Sequence, residues 1–119
     1  MDVESKVPGV FRNAQATLEV AAGEVVFNEG DRGTEMFGIV EGEIELRGPS
    51  GVLAKLGPGE VFGEMALIAR DPRSATAVAK APSVLAVIDR HRFLFMVQET
   101  PMFALQMMAV MANRIRDRN

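Results

Sequence analysis

Residues 62–76 decide how this sequence is interpreted, and they read FGEMALIARDPRSAT. Gly63 closes a strand-like run, and a glycine at that point lets another group approach the backbone closely. Residues 64–69 are good helix formers, but the Asp71-Pro72 pair ends this helix after about two turns. The free N–H groups at the start of a helix carry a partial positive charge, so the segment offers an anion site.

Arg73 stands directly after the proline, between small or rigid neighbours that leave room around its side chain. Its guanidinium has a planar fork of donors that matches the oxygens of a phosphate. The amides of Ser74 and Ala75 could bind the same anion, and Glu64 could accept a hydrogen bond from a sugar hydroxyl. These features together favour a small sugar phosphate that carries one negative charge.

The chain before this segment has the pattern of an antiparallel β structure. Short apolar or alternating runs are separated by glycine-rich turns, which is typical of a sandwich or barrel. Residues 48–51 (GPSG) have the proline and glycines of a hairpin turn. The predicted strands are Thr17–Ala21, Val25–Asn28, Met36–Val40, Glu43–Arg47, Val52–Leu56 and Glu60–Phe62.

The chain after this segment predicts two more strands and then two helices, the first capped by an aspartate and the second opened by a proline. They are expected at Ser74–Lys80, Val84–Ile88, Asp89–Gln98 and Met102–Arg118. We therefore expect a mainly β fold with flanking helices. It is an antiparallel, jelly-roll-like β-roll over about residues 17–89, interrupted by one short helix, with C-terminal helices over about 90–118.

The composition fits one domain over residues 1–119, because 48% of residues are hydrophobic and 24% are charged. The net charge of −3 argues against direct nucleic-acid binding, since such proteins usually carry a basic face. The absence of cysteine excludes disulfides and thiolate metal sites. No apolar run is long enough to span a membrane, and residues 1–10 lack the apolar core of a signal peptide. We expect a cytoplasmic, stand-alone domain, because nothing follows Asn119.

The run FGEMALI, followed three residues later by PRSATA, closely resembles the phosphate-binding cassette of the cyclic nucleotide-binding domain family. That family includes catabolite-activator-type regulators, protein kinase A regulatory subunits and cyclic-nucleotide-gated channels. The glycines around the first strands, at Gly23, Gly30 and Gly42, match the family pattern as well. The resemblance covers about residues 17–116 and implies the same β-roll with C-terminal helices.

The resemblance also implies roles for individual residues. Arg73 would clamp the cyclic phosphate, and Glu64 would bind the ribose 2′-hydroxyl. Leu46 and Ala54 would be walls of the base pocket. The helix Met102–Arg118 would cover the base as a lid, with Arg114 and Asn113 as its polar contacts. Backbone groups would complete the phosphate and ribose contacts, and they belong to Gly63, Met65, Ala66, Ser74 and Ala75.

The function implied is that of a sensor and regulatory domain, not of an enzyme, and it requires neither a cofactor nor a metal. The expected ligand is cAMP, with cGMP left open because Ser74, after the cassette arginine, does not decide between them. Ligand binding would move the C-terminal helices and signal to an effector protein. The wide apolar surface of the last helix leaves open a homodimer formed through it.

Two other functions are weighed against this one. The first is a β-roll whose pocket is empty and which acts as a protein–protein interaction module, with Arg73 in an ion pair with Glu64. The second is a cupin-type enzyme, which needs clustered metal ligands that a single histidine, His91, cannot supply. We expect His91 on the surface, and Glu41, Glu43 and Glu45 on one solvated strand face.

Overall fold

The structure is a computed structural model that describes residues 16–118, with side chains described from 16 to 114. Residues 1–15, where the sequence predicts no signal peptide, lie outside the described part. The described chain forms β1 (Thr17–Val20), β2 (Val25–Phe27), β3 (Met36–Glu41), β4 (Ile44–Gly48), β5 (Gly51–Leu56), β6 (Val61–Phe62), α1 (Glu64–Ile68), β7 (Thr76–Ala79), β8 (Ser83–Ile88), α2 (Arg90–Glu99) and α3 (Met102–Arg118).

The strands form two 4-stranded sheets whose paired neighbours run antiparallel. One sheet has the order β1-β8-β3-β6, and the other has the order β2-β7-β4-β5. The chain passes repeatedly from one sheet to the other, so each sheet holds strands from both halves of the sequence. This mainly β roll with an inserted short helix and two C-terminal helices confirms the predicted fold class.

Apolar side chains from both sheets meet in a core between them. The rings of Phe37 and Phe62 stack with centroids 5.3 Å apart, and Phe27 lies about as close to each of them, at 6.0 and 5.9 Å. Burial of such large apolar groups is the main favourable contribution to folding. The other buried members of this inter-sheet core are Val20, Ile39, Ile44, Leu56, Ala77, Ala79 and Leu85.

A second core lies between the roll and the C-terminal helices. Phe103, Met107 and Val110 face the roll from one side of α3, at the spacing of an amphipathic helix. Phe103 is fully buried, and its ring meets that of Phe93 edge to face at 5.4 Å. The roll contributes Met36, Val61, Leu67, Ala86 and Ile88 to this helix core.

The C-terminal helices follow the predicted signals. The side chain of Asp89 accepts a 2.7 Å hydrogen bond from the backbone N–H of Arg92, which confirms it as the N-cap of α2. The chain bends by 119° between α2 and α3. Within the part described, neither helix alone has the length and hydropathy to cross a membrane. The bent pair taken together is long and apolar enough, by length and composition only.

Two predictions about the roll need correction. The strand expected from Ser74 begins only at Thr76, because the backbone of Arg73 is bound to the loop before β3 and holds the chain out of the sheet. Glu45 is buried, although Glu41 and Glu43 are exposed as predicted.

Glu45 is buried because β4 is an interior strand, flanked by β5 and β7. Its carboxylate accepts a 2.6 Å hydrogen bond from Nε of Arg47, two residues along the same face. That bond lowers the pKa of Glu45 below its ordinary value, with smaller contributions from Lys80 and Lys55. The buried carboxylate of Glu45 therefore has its hydrogen-bond partner within the same strand.

We expect Phe103→Ala to destabilise the protein by about 3–5 kcal/mol, because a fully buried ring is lost and its cavity cannot collapse completely. Leu105→Ala, on the exposed face of the same helix, is the matched control and should cost much less. Urea unfolding followed by circular dichroism measures both. Equal losses for the two variants would show that α3 does not pack on the roll through Phe103.

Candidate functional site

The segment between β6 and β7 is shaped by Gly63. Its φ of +78° lies in the left-handed region, where residues with a Cβ are strained, and it places the start of α1 directly after β6. A Cβ on Gly63 would also lie 2.7 Å from Nη1 of Arg73. The predicted helix Glu64–Ala69 is confirmed with its end one residue earlier, at Ile68.

Arg73 is buried, with only 7% of its surface exposed. Its Nη1 donates a 3.0 Å hydrogen bond to the carbonyl of Gly63, and its guanidinium lies 4.2 Å from the centroid of the Phe27 ring. The backbone of Arg73 is fixed by two 2.8 Å bonds, to the carbonyl of Asp31 and from the N–H of Gly30. The side chain therefore enters the roll from a rigid attachment point.

No described residue provides a close counter-ion for the charge of Arg73. Burial lowers the pKa of its guanidinium, and the more distant charges of Glu35, Asp31 and Glu64 oppose that shift. An arginine nevertheless remains a cation at neutral pH. No carboxylate of the described residues forms an ion pair with it, so the alternative ion pair between Arg73 and Glu64 is not what the structure contains.

Glu64 is buried at the start of α1, with 3% of its surface exposed. Its Oε1 accepts a hydrogen bond from Nη1 of Arg114 on α3, and Nη2 of Arg114 donates to the carbonyl of Val61. A buried carboxylate needs such a partner, since an uncompensated charge is costly in the interior. The contact joins the last helix directly to the cassette.

Arg114 was expected to be a polar contact of the lid toward a base, and the structure places it instead on Glu64 and Val61. Asn113 lies half-buried on the same turn of α3. The two partners of this ion pair are separated by 50 residues, and no local pattern in the sequence connects them.

The remaining predicted contacts surround the same region. Leu46 and Ala54 face each other across β4 and β5, and both are half-buried against the inter-sheet core. Ala66 and Ala75 are buried, whereas Met65 and Ser74 are exposed. Phe27 also packs against that core and carries the guanidinium of Arg73 on its ring, so it connects the apolar wall with the cation.

Sequence reasoning missed the roles of Phe27 and Gly33. Phe27 was assigned only to a strand, and its contact with Arg73 across 46 positions leaves no local signal. A Cβ on Gly33 would lie 2.4 Å from Nη2 of Arg73, so only a glycine leaves room for the guanidinium. The sequence offers one hint, the glycine in the run DRGT. The φ of Gly33 lies outside the left-handed region, so its backbone conformation does not require a glycine.

The sequence matches the model of a known protein family. A model of the family described as "Cyclic nucleotide-binding domain" matches residues 17–100, which is most of the chain. The chain therefore belongs to the cyclic nucleotide-binding domain family, as the cassette motif predicted.

Particular relatives support the same assignment. A protein named cyclic AMP receptor protein, from Thermus thermophilus, is 35% identical over 100 residues, covering 80% of this chain and 46% of its own length. A solved structure described as "A cyclic-GMP-dependent signalling pathway regulates bacterial phytopathogenesis" matches this chain with a TM-score of 0.79 and 35% identity. That match covers 89% of both chains.

The catabolite activator protein of Thermus thermophilus gives a TM-score of 0.77 at 32% identity, over 87% of this chain and 51% of that one. The chain thus spans less than half the length of the curated relatives it matches.

We expect Gly33→Ala to destabilise the protein by about 1–3 kcal/mol, because the new methyl group must displace the buried guanidinium of Arg73. Gly57→Ala is the matched control, since a Cβ there meets nothing within 4 Å. Thermal unfolding of both variants measures the difference. A Gly33→Ala variant as stable as Gly57→Ala would contradict the tight packing of Arg73 against this loop.

Proposed function

We propose that this chain binds a cyclic nucleotide through residues 63–66 and 73–75, with cAMP as the ligand. The observation that carries the proposal is the buried cation Arg73, which has an aromatic ring on one side and no carboxylate partner among the described residues. In the described part, every fully buried side-chain nitrogen and oxygen has a hydrogen bond. The donors of Arg73 that make no internal hydrogen bond are therefore not fully buried and remain accessible. An incoming phosphate can pair with them.

The phosphate is the first recognition element of this proposal. A charge-assisted pair between a guanidinium and a phosphate is short, directional and about twice as strong as a neutral hydrogen bond. The amides of Ser74 and Ala75 follow Arg73 directly, and those of Gly63, Met65 and Ala66 lie at the N-cap and start of α1. A singly charged cyclic phosphodiester would neutralise the single buried cation.

The ribose is the second element. Arg114 occupies Oε1 of Glu64, and a carboxylate has about four lone-pair sites, so it retains acceptor capacity for a 2′-hydroxyl. Arg114 also keeps this buried carboxylate compensated and oriented. The base would then lie against the apolar wall formed by Leu46, Ala54 and Phe27.

The preference for cAMP rests on the similarity to the cyclic AMP receptor protein of Thermus thermophilus. The similarity to the structure from a cyclic-GMP-dependent pathway makes cGMP the second candidate. Ser74, beside the cassette arginine, is exposed and does not discriminate between the two bases. A competition titration of the two nucleotides on the same protein decides between them.

The proposed activity is regulatory binding, without catalysis or a cofactor, in the cytoplasm. The ion pair between Arg114 and Glu64 connects the ligand-binding turn with α3, so a ligand that changes Glu64 also changes the energy of the helix position. A ligand shifts such an equilibrium only by its differential affinity for the two positions. The signal would pass to an effector protein or to a second copy through the C-terminal helices.

We expect Arg73→Ala to weaken cAMP binding on the order of 10²–10⁴-fold, because two charge-assisted bonds worth ~1.5–3 kcal/mol each are lost. Isothermal titration calorimetry measures the affinity. Arg92→Ala is the control. Arg92 lies on α2 against Phe95, so this substitution removes the same charge away from the proposed site.

An unchanged affinity in Arg73→Ala would refute the role of this arginine. Wild-type protein that gives no thermal shift with millimolar cAMP or cGMP would favour the remaining alternative, a β-roll that serves only as an interaction module.

We expect Arg114→Ala to weaken cAMP binding about tenfold and to reduce its preference for cAMP over 2′-deoxy-cAMP, because Glu64 loses the partner that orients it. Arg114→Lys retains the charge and should restore part of that preference. Titration of both nucleotides against the three proteins supplies the comparison. A preference that is unchanged in Arg114→Ala would show that Arg114 has no effect on ribose recognition.

A further inference from the structure

Beside the cassette lies a cleft of about 490 Å³ whose rim is lined by Arg32, Arg70 and Arg90. Its floor includes Ala66 and Leu67 of α1. The three arginines come from the loop before β3, from the turn after α1 and from the first residue of α2, so three separate elements converge here. We call this feature the arginine cleft.

The positive charge of the arginine cleft is not neutralised within the described residues. Arg32, Arg70 and Arg90 are exposed, and none of them has a hydrogen bond or an ion pair from its side chain there. Asp71 is the one acid in the lining, so the cations are in excess. The whole chain carries a net charge of −3, and the cleft therefore opposes the overall charge.

The positions of two of these arginines are unfavourable for local structure. Arg70 has a φ of +58°, the left-handed region that residues with a Cβ seldom adopt. Arg90 is the first residue of α2, whose first turn contains no acid after the N-cap Asp89, and the helix dipole disfavours a cation there. Local stability does not explain these arginines, whereas binding of an anionic partner does.

We propose that the arginine cleft is the docking site for an acidic peptide segment of a partner protein. Guanidinium groups pair with carboxylates through two parallel hydrogen bonds, and three such groups spread around one cleft suit a segment with several carboxylates. Arg73, by contrast, is a single buried guanidinium packed closely against Gly33 and Gly63. Charge complementarity selects the acidic segment, and the acidity of the chain disfavours a nucleic acid.

The arginine cleft shares elements with the nucleotide site. Ala66 and Leu67 belong to the cassette helix, and Gly33, which also lines the cleft, packs against the guanidinium of Arg73. A docked segment would therefore touch the same loop and helix as the ligand. This link rests on the proposed nucleotide binding, whereas docking itself does not.

The test uses the full chain and a fluorescein-labelled decaglutamate peptide, with decaglutamine as the uncharged comparison. Fluorescence anisotropy measures binding at low and at physiological salt, with and without cAMP. The triple variant Arg32→Gln, Arg70→Gln, Arg90→Gln should lose about tenfold in affinity for decaglutamate, because three exposed charge pairs of modest strength disappear. Its affinity for cAMP should change less than twofold, which separates this test from that of the nucleotide site.

The matched control is Lys55→Gln, Lys80→Gln, Arg92→Gln, which removes the same charge outside the cleft. It should bind decaglutamate as the wild type does, and circular dichroism verifies that both variants are folded. Equal weakening in the two triple variants would mean non-specific attraction and would overturn the proposal. Binding of inorganic pyrophosphate or of single-stranded DNA through the same arginines, in preference to decaglutamate, would overturn the peptide as occupant.

Discussion

The burial of one guanidinium organises this molecule. Arg73 lies inside a roll, against the ring of Phe27 and the carbonyl of Gly63, without a neighbouring carboxylate among the described residues. Several features that look independent in the sequence accommodate it: the left-handed Gly63, the missing side chain at Gly33, and the bonds that fix the Arg73 backbone. The side chain and the backbone of this cation are both fixed by hydrogen bonds within the roll.

The second constraint is the charge of Glu64, and it connects the roll to the helices. A buried carboxylate is stable only with a partner, and this one is supplied by Arg114 from α3. Phe103 and Met107 hold the same helix against the roll by apolar contact, about two to three turns before Arg114. The start of α1 and the position of α3 are thereby joined through a single acidic side chain.

Much of the fold followed from local patterns, because alternating runs, glycine turns, Asp89 and the Asp71-Pro72 pair act over a few residues. The late start of β7 at Thr76 and the burial of Glu45 were missed, since both depend on neighbours brought together by the fold. The cassette motif singled out Arg73 and Glu64, and the structure buries both side chains. It could not reveal Phe27, Gly33 or the contact of Arg114 with Glu64, which exist only once distant segments meet.

The two hydrophobic cores are built from different parts of the chain. Among the side chains that the structure describes, the core between the sheets contains none from α2 or α3, whereas the other core depends on both the roll and those helices. Separate cores permit a hierarchy of openings, in which the outer layer detaches at a smaller cost in free energy than global unfolding. The binding turn would then remain assembled while the helical layer exchanges between docked and undocked arrangements.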